Sequence, residues 1–341
     1  MGKKTEYTVA VVGATGAVGR VFLDIMEKRP FPLSGLRLLA SSRSAGTRMR
    51  FRGEDLVVGE TTADALRGAD FVFISATDEV SKRYAPIAAE LGAIAIDDSA
   101  VWRMDPEVPL VVPEVNADDL APGRRIVSIP NCSTTPLVMA LAALRSEAAI
   151  RRVVVSTFQS VSGTGGAAML ELEALSRKAL AGERDLAGKV YPHPIGFNLL
   201  PHIGSFKDEG YTSEEWKMVW ETRKILHLAD LPVVATTVRV PVFVSHSESV
   251  NVELDRPIEP TRARELLAAF PGIEVVDDTA SLSYPQPLLA AGTDPVYVGR
   301  IRRDISHPAG LAMWLVCDNL RKGAALNAIQ IAEAMIARDI V

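Results

Sequence analysis

The sequence predicts an α/β protein. A doubly wound parallel sheet comes first, an α+β domain follows, and the last helix returns to the first domain. Three observations predict it. Apolar strands alternate with helical stretches through the first hundred residues. A glycine-rich turn joins the first strand to the first helix. After Cys132, strands and an irregular proline- and glycine-containing stretch replace that rhythm. At 341 residues the chain exceeds one core of usual size. The expected division is 1–130 with 318–341 for the first domain and 131–317 for the second.

Tyr7-Thr8-Val9-Ala10-Val11-Val12 reads as a buried parallel strand, running into Gly13-Ala14-Thr15-Gly16-Ala17-Val18-Gly19 and a helix over 20–26. The glycines are spaced G-x-x-G-x-x-G. That spacing supplies a tight turn, close backbone approach to a pyrophosphate, and a helix N-terminus aimed at it. Flanked by strand and helix at the chain start, it marks a Rossmann-type dinucleotide site, with Gly13, Ala14, Thr15, Gly16, Ala17 and Val18 as candidate contacts. A second strand, 36–40, ends in Ser41-Ser42-Arg43-Ser44. An enzyme selecting NAD places a carboxylate there for the ribose 2′-hydroxyl. Hydroxyls and a guanidinium suit a 2′-phosphate instead, so Ser41, Ser42 and Arg43 point to NADP. The alternation continues through a strand over 70–77, a helix over 81–91 and a strand over 93–97.

Cys132, in Pro130-Asn131-Cys132-Ser133-Thr134-Thr135-Pro136, sits where the strand 126–129 gives way to a helix whose first turn suits Pro136. Unpaired N–H groups and the helix dipole there favour a thiolate, and the thiolate is the nucleophile. A strand over 152–161, a flexible turn at Ser162-Gly163-Thr164-Gly165-Gly166 and a helix over 167–180 come next. Thr212-Ser213-Glu214-Glu215 is a Thr-x-x-Glu capping box opening a helix. Strands are expected over 233–244 and 249–254, a helix over 261–270, and a final helix from Cys317 through Ile336.

Composition excludes several classes. The chain is 48% hydrophobic and 23% charged, as soluble globular proteins are. Its net charge of −5 without a basic stripe argues against nucleic acid. The short runs Arg48-Met49-Arg50-Phe51-Arg52 and Arg302-Arg303 read as solvated turns. Two cysteines make no disulfide framework, which suits a reducing cytoplasm. Met1-Gly2-Lys3-Lys4-Thr5-Glu6 has no apolar signal core, and Glu6 breaks the myristoylation pattern. No uncharged apolar run approaches the ~20 residues of a membrane span. No Cys/His cluster has metal-ligand spacing, and no G-x-S-x-G elbow supports a serine hydrolase.

Six motifs occur in order: Gly13–Gly19, Asn131-Cys132-Ser133-Thr134, Phe158-Gln159-Ser160-Val161-Ser162-Gly163, Glu214-Glu215-Trp216-Lys217-Met218, Arg239-Val240-Pro241-Val242 and His246-Ser247-Glu248-Ser249. Together they resemble the aspartate-semialdehyde dehydrogenase family over nearly the whole chain. The resemblance implies NADPH-dependent reductive dephosphorylation of L-4-aspartyl phosphate to L-aspartate 4-semialdehyde, on the route to lysine/diaminopimelate, threonine, methionine and isoleucine. It implies a thioester on Cys132, with His246 as acid–base and Gln159 orienting the acyl group. Arg239 would fork onto the substrate α-carboxylate and Glu214 would hold its α-ammonium. Arg103, Asn131 and Lys217 would bind phosphate; Ser162, Gly163 and Asn319 would touch the cofactor. A homo-oligomer, dimer or tetramer, acting on small molecules alone is expected.

Three features test that resemblance. Ser245 stands before His246 where glycine is expected, so a positive φ there would be strained. Ala76-Thr77-Asp78-Glu79 lacks the small character expected near a nicotinamide. In one regular strand Arg239 and His246 would face opposite sides, so a shared site demands a bend at Pro241 or Ser245. N-acetyl-glutamyl-phosphate reductase is the rival with the same chemistry. Glu214 argues against it, because an acetylated amine carries no charge. A silent NADP-binding homologue is the rival of another class, and such a chain could dispense with Cys132 and His246.

Overall fold

The computed structural model describes residues 4–341; the Met1-Gly2-Lys3 part of the N-terminal reading lies outside them. The chain divides into two compact units, one running to Pro130 and resuming over Ala324–Val341, the other Asn131–Gly323. The return therefore begins at Ala324 rather than at 318. Asp318–Gly323 stays in the second unit, where Asp318 accepts the Gly292 N–H (2.8 Å) and Arg321 pairs with Asp294 (2.7 Å).

The first unit contains β1 (Tyr7–Val12), α1 (Ala17–Lys28), β2 (Leu33–Ala40), β3 (Arg48–Phe51), β4 (Glu54–Val57), β5 (Gly59–Glu60), β6 (Phe71–Ile74), α2 (Asp78–Glu90), β7 (Ile94–Asp97), α3 (Pro113–Asn116) and β8 (Ile126–Ser128). Its sheet has the order β5-β2-β1-β6-β7-β8, with every pairing parallel. Because β1 is covered on both sides, its residues divide between two cores: Val9 and Val11 join one, Ala10 and Val12 the other. Of the run 48–52, only Arg52 lies in an exposed turn. Arg48 and Arg50 are exposed while Met49 and Phe51 are buried, an alternation that makes it one strand of the β3–β4 hairpin.

The second unit contains α4 (Thr134–Arg145), β9 (Ile150–Gln159), α5 (Gly166–Leu180), α6 (Ser213–Leu226), β10 (Val233–Arg239), β11 (His246–Leu254), α7 (Pro260–Ala269), β12 (Ile273–Val275), α8 (Pro287–Ala290), β13 (Val296–Arg303) and β14 (Gly310–Cys317). The sheet order is β10-β9-β11-β14-β13-β12. It is mixed: β9 runs parallel to β10 and antiparallel to β11. Alternate residues of β9 and β11 face inward, Val153, Val155, Thr157 and Gln159 on one, His246, Glu248, Val250 and Val252 on the other.

Three expectations need correction. The strand expected over 233–244 stops at Arg239, leaving 240–244 outside any strand, and β11 begins at His246, earlier than 249. Arg302 and Arg303 end a strand, β13, rather than a turn. Cys317 ends β14 instead of starting a helix: the apolar run 311–316 is strand, a π-helical turn covers Arg321–Ala325, and α9 spans Leu326–Ala337. The α9 helix contributes Leu326, Ile329, Ile331 and Met335 to the core of the first unit, where Glu333 forms a bidentate pair with Arg29 (2.7 and 2.9 Å). Among the described residues, no helix is long and apolar enough to cross a membrane.

Candidate active site

Cys132 is half-buried and lies two residues before α4, whose first N–H groups close on Asn131: Thr134 and Thr135 donate to its carbonyl (2.9 and 3.1 Å). The turn is tied down from below. The Asn131 N–H donates to Glu221 (2.6 Å), and the Asn131 side-chain oxygen accepts the Ser133 N–H (2.9 Å). Gly323 closes the other side. A Cβ there would lie 2.8 Å from the Cys132 Cβ, so only glycine lets the two backbones approach.

The capping box at α6 is realised in full, with Thr212 and Glu215 each bonded to the other's backbone N–H. It sets Glu214 in the first turn, where the helix dipole favours an anion. Burial alone would raise that carboxyl. Lys217 (3.0 Å), Asn131 Nδ2 (2.8 Å) and Gln159 Nε2 (3.1 Å) outweigh burial and bring its pKa down to about 2. Gln159 also donates to the Ser133 hydroxyl. Asn131, Gln159, Glu214 and Lys217 are thus one cluster beside the Cys132 turn.

Arg239 and His246 lie at the ends of β10 and β11, on either side of β9, and both reach the Gly163 turn. A Cβ on Gly163 would stand 3.5 Å from Arg239 Nη1 and from His246 Nε2. The bend that a shared site demands is the chain reversal 240–245. It closes on Ser245 with φ +78°, the strained conformation expected where glycine was missing. Arg239 donates to the Ser160 carbonyl (2.5 Å) and lies over the Tyr191 ring. His246 is buried, and burial lowers its pKa to about 3, with the Arg239 charge adding to the shift and Glu214 opposing it. The imidazole is therefore neutral at pH 7. Asn319 Oδ1 collects three donors, Ser160 Oγ (3.1 Å), Ser162 Oγ (3.0 Å) and Ser245 N–H (3.0 Å).

Sequence reasoning missed Ser133, Ser160, Glu221 and Gly323. The serines stood inside quoted motifs without a role, and Gly323 inside the stretch read as the final helix, because which atoms such residues meet depends on neighbours far along the chain. Glu221 lies about one turn beyond Lys217 on α6 and could have been found as a buried acid on its helix face.

The first unit holds the remaining residues. Gly13 has φ +88°, and a Cβ there would overlap the Ser75 carbonyl at the end of β6. Gly13 and Ala14 donate to the Leu39 carbonyl of β2 (2.9 and 3.1 Å), and Gly16 precedes α1 without a side-chain cap or an acid in the first turn. Backbone that only glycine fits, ending at an open helix N-terminus, fits a dinucleotide pyrophosphate. Ser41, Ser42 and Arg43 form an exposed turn after β2, with no acidic residue between Ala40 and Gly53. Arg103 is buried beyond β7 and donates to the Asp98 carbonyl (2.8 Å). Asp78 and Glu79 open α2, directly after Thr77. Among the described residues, no group of three or more His, Cys, Asp or Glu side chains is placed to hold a metal.

Two family models cover the chain: a semialdehyde dehydrogenase NAD binding domain over residues 8–122 and a semialdehyde dehydrogenase dimerisation domain over residues 141–322. The aspartate-semialdehyde dehydrogenase of Aquifex aeolicus is 46% identical over 338 residues, 98% of this chain and 99% of that protein. The crystal structure of aspartate semialdehyde dehydrogenase II complexed with ASA from Vibrio cholerae superposes with a TM-score of 0.94 at 41% identity, covering 99% of this chain and all of that one. A Candida albicans aspartate semialdehyde dehydrogenase with NADP superposes with a TM-score of 0.75 at 26% identity, over 98% of this chain and 100% of that one.

Proposed function

From the premise that the chain belongs to the aspartate-semialdehyde dehydrogenase family, nicotinamide-dependent phosphorylating oxidoreductases, we propose that it reductively dephosphorylates L-4-aspartyl phosphate to L-aspartate 4-semialdehyde through a thioester on Cys132. The observation that carries the substrate assignment is Glu214. A buried carboxylate held ionised by Lys217, Asn131 and Gln159 is a site for an ammonium group, and it disfavours an acetylated amine. Arg239, aimed at the same turn as His246, supplies the bidentate fork for the α-carboxylate. That assignment also bears on His246. A carboxylate seated on Arg239 cancels one of the charges holding the imidazole neutral, so substrate binding raises the His246 pKa toward the range where it can take and return a proton.

In the forward direction the Cys132 sulfur attacks the carbonyl carbon of the acyl phosphate. A C–S bond forms, the C–O bond to phosphate breaks, and phosphate leaves with the bonding pair. His246 takes the thiol proton at Nε2. Gln159, fixed to Ser133 and Glu214, orients the acyl oxygen; Arg103, Asn131 and Lys217 bind the phosphate. Asn131 has its amide on Glu214 and Ser133 in the free protein, so its part includes holding the Cys132 turn. NADPH, when bound, supplies the hydride that reduces the thioester. Gly13 through Val18 would hold its pyrophosphate, Ser41, Ser42 and Arg43 its 2′-phosphate, with Ser162, Gly163 and Asn319 as further contacts. The missing carboxylate after β2 supports NADP over NAD. Two cysteines outside any disulfide suit a cytoplasmic enzyme, and the dimerisation domain supports a homo-oligomer.

The test is the reverse assay: aspartate semialdehyde, phosphate and NADP⁺, followed by NADPH absorbance, for the natural chain and for Cys132→Ser. The variant is expected to lose at least about 10³-fold in kcat. Equal rates would remove the mechanism, and turnover of N-acetylglutamate semialdehyde alone would reassign the substrate.

A further inference from the structure

Tyr191 lies in the irregular stretch between α5 and α6, half-buried against Val161, Leu172, Leu175 and Ile195. The Arg239 guanidinium sits over its ring, 5.9 Å from the centroid, within reach of a cation–π contact. The Tyr191 hydroxyl donates to Thr164 Oγ1 (2.9 Å), in the turn Val161–Thr164 that also holds Gly163. One side chain therefore touches both the guanidinium and the turn that faces Arg239 and His246.

Helix α5 puts the ring there. One oxygen of the Glu171 carboxylate accepts the Lys189 and Val190 N–H groups (2.6 and 2.7 Å), and the other accepts that of Tyr191 (3.3 Å). Hydrogen bonds to a carboxylate are charge-assisted and stronger than those to a neutral carbonyl. A Cβ on Gly188 would stand 2.4 Å from Glu171 Oε1, so glycine at 188 leaves the carboxylate its place. Further along the same stretch, Leu200 and Arg239 exchange backbone hydrogen bonds in both directions (3.0 and 2.8 Å). The stretch is thus fixed to the end of β10 twice, through backbone at Leu200 and through the ring at Tyr191.

Arg239 has use for that support. Its Nη1 is bound to the Ser160 carbonyl (2.5 Å), while its Nε is buried with no hydrogen-bond partner among the described residues. One edge of the fork is open, as a site for a carboxylate requires. A ring across the guanidinium face leaves that edge clear and holds its plane. A long side chain ordered in advance costs less on binding than one ordered by its ligand.

Resting on the reading of Arg239 above, we propose that Tyr191 is a positioning residue for the α-carboxylate subsite. Its ring holds the plane of the guanidinium, its hydroxyl ties that plane to the Gly163 turn, and Glu171 holds the backbone that carries it. The carboxylate stays on Arg239 in substrate and transition state alike, so losing the ring falls on KM rather than kcat.

The experiment compares the natural chain with Tyr191→Leu, which keeps apolar packing, and Tyr191→Phe, which keeps the ring. In the reverse assay, Tyr191→Leu is expected to raise KM for aspartate semialdehyde about tenfold, with kcat and KM for phosphate changed less than about twofold. Tyr191→Phe is expected to stay within about threefold of the natural KM. The second readout is phenylglyoxal modification of Arg239 in the free protein, followed by peptide mass spectrometry. Arg239 is expected to react about fivefold faster in Tyr191→Leu, its face no longer covered. This arm needs neither substrate nor nucleotide, so it decides on Tyr191 even if the aldehyde is not turned over, an outcome that would count against the reading of the reaction alone. Should the leucine variant lose its native circular dichroism, Glu171→Gln carries both comparisons, with changes of about threefold in the same directions. Equal rises in KM for the leucine and phenylalanine variants would overturn the proposal, as would a fall in kcat at natural KM or an unmoved Arg239 reactivity.

Discussion

His246 and Glu214 show how one pair of side chains binds the site to pH. Burial drives the His246 pKa from 6.5 down to about 3, so the unfolded chain binds the proton more readily across that interval. Its contribution to stability is complete above about pH 6.5 and is lost as pH falls toward 3, at about 1.4 kcal/mol for each unit. Glu214 has the same sign lower down. Its pKa falls from 4.5 to about 2, so its contribution is present above 4.5 and lost as pH falls through 2. The urea midpoint of the second unit is therefore expected to drop between pH 6.5 and 4, and the drop is expected to flatten in His246→Asn. An unchanged slope in that variant would show that the imidazole is not the group responsible. At this scale the sequence singled out Cys132, Gln159, Glu214, Arg239 and His246 as candidates, but Ser160 and Gly323 acquire meaning only once Nδ1 and the Cys132 Cβ are found beside them.

Strand β11 carries a conflict that its pattern does not show. His246, Glu248, Val250 and Val252 all face inward, and Glu248 is buried with neither carboxylate oxygen hydrogen-bonded. Thr157, its partner in register on β9, has a hydroxyl in the same condition. Burial raises the Glu248 pKa well above 4.5, so the folded chain keeps a proton that the unfolded chain releases. The sign is opposite to that of His246: the neutral acid's stability is complete below 4.5 and is lost as pH rises toward the folded pKa. Glu248→Gln, always neutral and of the same shape, is expected to unfold at higher urea than the natural chain at pH 8. The difference should shrink toward pH 5, each unit of the shift being worth about 1.4 kcal/mol. A variant less stable at pH 8 would mean that the carboxylate is ionised and held. The elements themselves were legible wherever period and cap agreed, as in β1, α1 and α6. Legibility failed where an apolar run was short: 311–316 suits either strand or buried helix, and only pairing with β11 and β13 makes it β14.

Across the whole molecule, the second unit has one sheet face packed inward and one left half-open, with Phe158 and Trp314 in ring contact on the open side (5.3 Å). Matched to a dimerisation domain, this unit is expected to bring two copies together. Sedimentation velocity at micromolar concentration should give a species larger than one chain, and a single-chain coefficient over that range would refute it.

What the sequence by itself determined is the local grammar. The glycine turn after β1, the capping box of α6, the cysteine ahead of α4 and the absence of an acid after β2 each depend on residues a few positions apart, where backbone sterics and helix ends act. The tertiary structure alone decided how Arg239 and His246 come to one turn, because that requires the chain to reverse at Ser245 and return along the far side of β9. It also decided which serine meets the imidazole, since that hydrogen bond spans 86 residues and no local period encodes it.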